Sequence, residues 1–192
     1  MGRDKRLLRL AGVTLLERNL RFLQKLFPTV ALSVRDCTQV PSPLPDGVEI
    51  VPDVVSGSPL AGIASVLARF RRPVFVLAAD IAFADRGAVE LVVETSAGVD
   101  VSLPIVGDHL EPLHAVYGPA CLPHIERLLE RGAHSILDLL PEVRVAEVPF
   151  AVTRPFFNVN TPQDWERARL LAAGAAGRSA LRNCLYRETE CR

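Results

Sequence analysis

Apolar positions along this chain follow two alternating rhythms. Leu15, Leu16, Asn19, Leu20, Leu23 and Leu26 fall at helical spacing with charges on the other side, and Thr14 stands ahead of them as an N-cap with Glu17 three residues on, a capping box. Val30–Val34 reads as a buried strand and Val48–Val51 as a second, short one. Residues 59–70 predict a helix with Leu60, Ile63, Leu67 and Phe70 on one face. The continuous apolar run Pro73–Ala79 is what a strand covered on both faces needs. Asp85–Thr95 has a helical pattern, and Val99–Ile105 and Leu113–Tyr117 read as strands. Pro119–Arg131 predicts a helix with Leu122, Ile125, Leu128 and Leu129 inward, and Val143–Val148 a late strand. Thr161 caps a last helix that starts at Pro162 and runs to Leu171. Strands alternating with helices predict an α/β fold, a doubly wound and mostly parallel sheet with helices on both faces.

The 192 residues suit one domain, taken as residues 1–173 with a C-terminal tail over 174–192 where the composition turns small and then basic. Lys+Arg and Asp+Glu both number 22, a balance that gives no general surface for nucleic acid or an acidic membrane but leaves room for a local phosphate pocket. Cys37, Cys121, Cys184 and Cys191 lack metal-ligand spacing, and isolated thiols suit a reducing cytoplasm. The N-terminus has no signal-peptide core, and no apolar run is long enough to span a bilayer, so a cytoplasmic location is expected.

Several residues stand where chemistry is done. Asp80 ends the run VFVLAA, and ligands of open parallel sheets bind at the carboxyl ends of strands. A carboxylate there can hold Mg²⁺ or simply cap the next turn. Asp53 lies where a second strand ends, and its carboxylate could accept from a base or ribose hydroxyl or merely stabilise the turn. The stretch Ser56-Gly57-Ser58-Pro59-Leu60-Ala61-Gly62 places glycines at a strand-to-helix junction, where backbone amides and the helix N-terminus favour an anion, or where the chain merely turns. Lys5 is a possible phosphate partner or a solvated N-terminal lysine. Asn158 and Asn160, at alternate positions, put two amides on one side of an extended segment, with Phe156, Phe157 and Trp165 nearby as core packing. His114 reads as a hydrogen-bonded histidine of a strand. There is no G-x-S-x-G and no catalytic triad.

The order MGRDK, VPD, GSPLAG, a strand ending in AAD, EPLHAVY and NVNTPQDW resembles the molybdenum cofactor guanylyltransferase family from Met1 to about Ala173. The resemblance implies a Rossmann-like nucleotidyltransferase fold and Mg²⁺-dependent transfer of GMP from GTP to the terminal phosphate of Mo-molybdopterin. It gives Asp80 the metal, Lys5 the phosphates, Ser33, Asp53 and Gly57 the nucleotide, and Asn158 and Asn160 a place near the metal and the pterin phosphate. It also implies contact with molybdopterin-handling proteins or molybdoenzymes. Physically this is phosphoryl transfer by positioning and charge neutralisation. The LAGGxSxR half of the family's LAGGxSxRMGxDK signature is absent, so the resemblance implies that a first, central strand and a phosphate loop are missing from this chain. Two explanations compete, a start codon assigned inside the motif, which is favoured, and a truncated paralogue with a damaged sheet; low stability and weak or absent GTP transfer are expected of the chain as it stands. Ser33 stands where the family often has asparagine, and Ala82 where a proline commonly follows the metal aspartate. A molybdopterin cytidylyltransferase, a sugar-phosphate nucleotidyltransferase and a non-catalytic molybdopterin-binding protein are the competing readings.

Overall fold

The structure, a computed structural model, describes residues 8–40, 43–53 and 58–187, with side chains of the last helix described as far as Gly174. It opens with a hairpin absent from the sequence pattern, β1 (Arg9–Leu10) against β2 (Val13–Thr14). Ala11 and Gly12 turn it with φ of 53° and 85°, the positive values that a tight two-residue hairpin turn requires. Strands of two residues are too short to show an alternation.

Helix α1 (Leu15–Gln24) starts where expected, with Thr14 accepting from the Glu17 N–H at 3.1 Å. Only half of the expected capping box forms, because the Glu17 carboxylate turns instead to Arg21, 3.0 Å away. Strands β3 (Val30–Val34) and β4 (Val48–Pro52) pair in parallel. Helix α2 (Pro59–Phe70) begins at Ser58, which accepts from the Ala61 N–H, with Pro59 in the first turn. Strand β5 (Val74–Leu77) leads to helix α3 (Arg86–Glu94), capped by Asp85. There follow β6 (Val101–Val106), β7 (His109–Leu110), β8 (His114–Tyr117), α4 (Leu122–Glu130), β9 (Val145–Phe150) and α5 (Pro162–Arg187). The last helix therefore runs well past Leu171, and a short 3₁₀ turn at Pro119–Cys121 precedes α4.

The larger sheet is ordered β5-β8-β6-β7, with β9 also on β6. It departs from a mostly parallel arrangement. β6 and β9 run parallel, but β5–β8, β6–β8 and β6–β7 are antiparallel. The reason lies in the connections. The chain leaves β6 by a tight turn at Gly107 and returns through β7 and β8 with no crossover helix, which a parallel return needs. Both faces are nevertheless covered. On one, α2 and α4 bring Leu60, Ile63, Leu67, Ile125 and Leu128 onto Val101, Leu103, Ala115 and Tyr117. On the other, Val92 of α3 packs on Val116 and Val148. Val116 alternates with its neighbours Ala115 and Tyr117, which places it on the opposite face.

The sheet is divided. Among the described residues no strand joins β3 to β5. Between them lies a cavity of about 490 Å³, walled by those two strands and by α1 and α2.

Candidate active site

The first pole of the site lies at the carboxyl ends of β3 and β4. Ser33 donates its hydroxyl to the Asp53 carboxylate, and the Asp53 N–H is anchored on the Val34 carbonyl at 2.8 Å. The two side chains meet because β3 and β4 are parallel and in register at their ends, Val34 lying opposite Pro52. Gly62, inside α2, lets the helix approach this pair. A Cβ there would come within 3.0 Å of the Ser33 hydroxyl and 3.5 Å of the Asp53 carboxylate. Its missing side chain is thus a cradle beside the pair, a role that the GSPLAG motif does not announce. Gly57 and Lys5 lie outside the described residues.

The second pole follows β5. The chain turns at Asp80, which is half-buried, and rejoins the extended segment before α5. The Val159 N–H donates to the Asp80 carbonyl at 3.0 Å, the Ala82 N–H to the Phe157 carbonyl at 3.0 Å, and Ile81 bridges Asn158. Asp80 and Asn158 are therefore brought together by backbone pairing between segments more than seventy positions apart in sequence. Val159 is fully buried, so Asn158 and Asn160 share the opposite side of the segment, the first half-buried and the second exposed. Thr161 caps α5 as expected, and Asp164 reciprocates by accepting from the Asn160 and Thr161 N–H groups. The Thr161 hydroxyl beside it holds the Asp164 carboxyl below the usual carboxylate range.

Sequence reasoning missed Asn19. In the sequence it is only one of the positions at helical spacing along α1, yet it is 4% exposed. Its amide donates to the carbonyls of Ala78, Ala79 and Ile81 at 3.3, 3.3 and 2.9 Å. It ties α1 to the turn that presents Asp80. The only signal in the sequence was a polar residue on an otherwise leucine-lined face.

His114 departs from the expected hydrogen-bonded histidine. It is 1% exposed, wedged edge-on between Phe75 and Phe156, and neither ring nitrogen has a hydrogen-bond partner. Burial pushes its pKa down to about 4, against a smaller opposing effect of Asp85, so it is neutral at pH 7. Phe156 is buried, and Phe157 and Trp165 pack half-buried against Val159 and Ala168, as expected of core residues.

No group of three or more His, Cys, Asp and Glu residues gathers for a metal among the described residues. The fit to a hard cation rests on oxygen donors instead. The Asn158 Oδ1 is buried without a hydrogen-bond partner, on the segment paired with the Asp80 turn. A carboxylate and an unsatisfied amide oxygen suit an ion such as Mg²⁺, which draws its remaining ligands from phosphates and water. The cavity connects the poles, since Ser33, Asp53 and Ala79, the neighbour of Asp80, all line it.

A family model described as the MobA-like NTP transferase domain matches residues 1–145. This chain belongs to that family. The "probable molybdenum cofactor guanylyltransferase" of Pelotomaculum thermopropionicum is 35% identical over 184 residues, covering 90% of this chain and 87% of that protein. Among solved structures, molybdopterin-guanine dinucleotide biosynthesis protein A of Archaeoglobus fulgidus matches with a TM-score of 0.79 and 30% identity, over 90% of this chain and 92% of that one. A Mycobacterium tuberculosis protein crystallised in complex with manganese shares the fold, with a TM-score of 0.58 and 17% identity over 87% of this chain and 92% of that one. The MobA-like chain is thus a nucleotidyltransferase of the molybdenum cofactor guanylyltransferase type. No helix among its described residues is long and apolar enough to cross a membrane.

Proposed function

We propose that this MobA-like chain transfers GMP from GTP to the terminal phosphate of Mo-molybdopterin. An oxygen of the acceptor phosphate attacks the α-phosphorus of GTP, a new P–O–P link forms, and the bond to pyrophosphate breaks. The observation that carries this reading is the backbone pairing of the Asp80 turn with the segment of Asn158, whose buried Oδ1 has no hydrogen-bond partner, beside a cavity that Ala79 lines together with Ser33 and Asp53. Ser33 and Asp53 offer a hydroxyl and a carboxylate to the base or ribose of the nucleotide. Asp80 and Asn158 are the residues that would hold Mg²⁺, which neutralises phosphate charge when bound. Asn160 faces the same side for the acceptor phosphate, and Lys5 and Gly57 are assigned to the triphosphate by motif. No covalent protein nucleophile is needed, because positioning and charge stabilisation carry the reaction.

The test is transfer from labelled GTP to molybdopterin in the presence of Mg²⁺, with CTP and UTP offered in turn. Product from GTP alone, lowered at least about a hundredfold by Asp80→Ala, is the expected result. Transfer from CTP instead moves the assignment to a cytidylyltransferase. Tight molybdopterin binding without transfer from any nucleotide replaces it with a binding protein.

A further inference from the structure

The two segments that carry Asp80 and Asn158 also carry a pair of aromatic rings, and each ring holds an arginine. Phe83 and Phe157 lie with centroids 6.1 Å apart. The Arg154 guanidinium stands over Phe83 at 5.0 Å, and that of Arg167 over Phe157 at 5.5 Å. Both arginines are exposed, and neither has a salt bridge to a carboxylate among the described residues. Asp164, the acid that senses the charge of Arg167, is already occupied by the Asn160 and Thr161 N–H groups and the Thr161 hydroxyl.

A cation–π contact restrains a guanidinium and leaves N–H groups available to a further partner. An arginine so held has given up conformational freedom before any ligand arrives, and its edge matches two oxygens of a phosphate. Phe83 is three residues from Asp80 and Phe157 is adjacent to Asn158, with the Ala82 N–H bonded to the Phe157 carbonyl. Two exposed cations with no salt bridge among the described residues thereby stand on the rim of the pole where an acceptor must present its nucleophilic oxygen.

We propose that Arg154 and Arg167, braced on Phe83 and Phe157, form the seat for the phosphate monoester of the acceptor. The identity of that acceptor rests on the transfer reaction proposed above, whereas the anion seat itself does not. The seat separates the duties of the two poles, with nucleotide recognition left to Ser33 and Asp53.

The experiment compares the unaltered chain with the double variant Arg154→Gln/Arg167→Gln. Binding of labelled inorganic phosphate is measured by equilibrium dialysis on protein saturated with GTP, and the KM values for molybdopterin and GTP are measured separately. The expected result is phosphate binding weakened about tenfold or more, with a matching rise in the KM for molybdopterin and none in that for GTP. Phosphate binding that is unchanged, even with a lowered melting temperature, overturns the seat and leaves the arginines a covering role. A KM for GTP that rises as much as that for molybdopterin also overturns it. If the unaltered chain transfers nothing, the phosphate measurement still decides, so failure of the reaction and failure of the seat are distinguishable. Should the glutamine variant not fold, Arg154→Lys/Arg167→Lys retains charge and side-chain length but loses the fork. A loss of about threefold in phosphate binding is expected there, and no loss overturns the proposal.

Discussion

The two halves of this sheet are built from similar local elements and reach different degrees of closure. In the β5-β8-β6-β9 half, Leu103, Ala115 and Tyr117 are fully buried under α2 and α4, and α3 closes the other face. In the β3–β4 half, α1 packs Leu16 and Leu20 on Val30, Leu32 and Val34, but one side of that small core faces the cavity against β5. The halves are linked by the Phe27–Phe75 stack at 5.7 Å, by α2, and by the amide of Asn19. A strand edge gains its stability from a neighbour on both sides, and a helix over an open slot loses contacts that a closed core supplies. The closed half should therefore hold the fold, and the open half should be the first to yield.

The largest expected effect tests this directly. Leu103→Ala removes a side chain enclosed on all sides and should cost about 4 kcal/mol, whereas Leu20→Ala, beside an existing cavity, should cost about 2 kcal/mol. Urea unfolding measures both, and equal losses would break the comparison.

The next effect comes from pH. His114 stays neutral in the folded chain down to about pH 4, while the unfolded chain takes up its proton near 6.5. Between those values the unfolded state binds more protons, so stability falls as pH falls, by on the order of 3 kcal/mol over the window. His114→Phe, which can fill the same slot between Phe75 and Phe156, should flatten the urea midpoint between pH 7 and 4.5. An unchanged slope would mean that other groups carry the acid sensitivity.

Asn19→Leu keeps the branched shape but removes the amide that donates to the carbonyls of Ala78, Ala79 and Ile81. A stability loss of about 2 kcal/mol is expected, with slower GMP transfer as the Asp80 turn loosens. Normal transfer by a destabilised variant would confine Asn19 to the fold.

The smallest effect has the opposite sign. Val66→Phe adds bulk from α2 into the cavity and should raise stability by about 0.5 kcal/mol, seen as a higher melting temperature. A loss instead would show that the slot is narrower in solution.

Much of this organisation was legible beforehand. The order of the longer strands and helices, the caps Thr14 and Thr161, and the strand-end positions of Asp53 and Asp80 all follow from periodicity and local hydrogen bonding. The β1–β2 hairpin escaped because its strands are two residues each, and the antiparallel return of β7 and β8 because their apolar pattern says nothing of direction. His114 looked like a polar strand residue, and only its two aromatic neighbours show that it is enclosed without a partner.

What the sequence alone determined is local: which segments are helix or strand, where they are capped, and which carboxylates end strands. These depend on interactions a few residues apart, which periodicity records. Tertiary structure alone decided that the Asn19 amide reaches carbonyls about sixty positions away, that Gly62 cradles the Ser33–Asp53 pair, and that Arg154 and Arg167 share one aromatic platform. Such contacts join segments whose separation carries no period, so they exist only once burial has fixed how the elements pack.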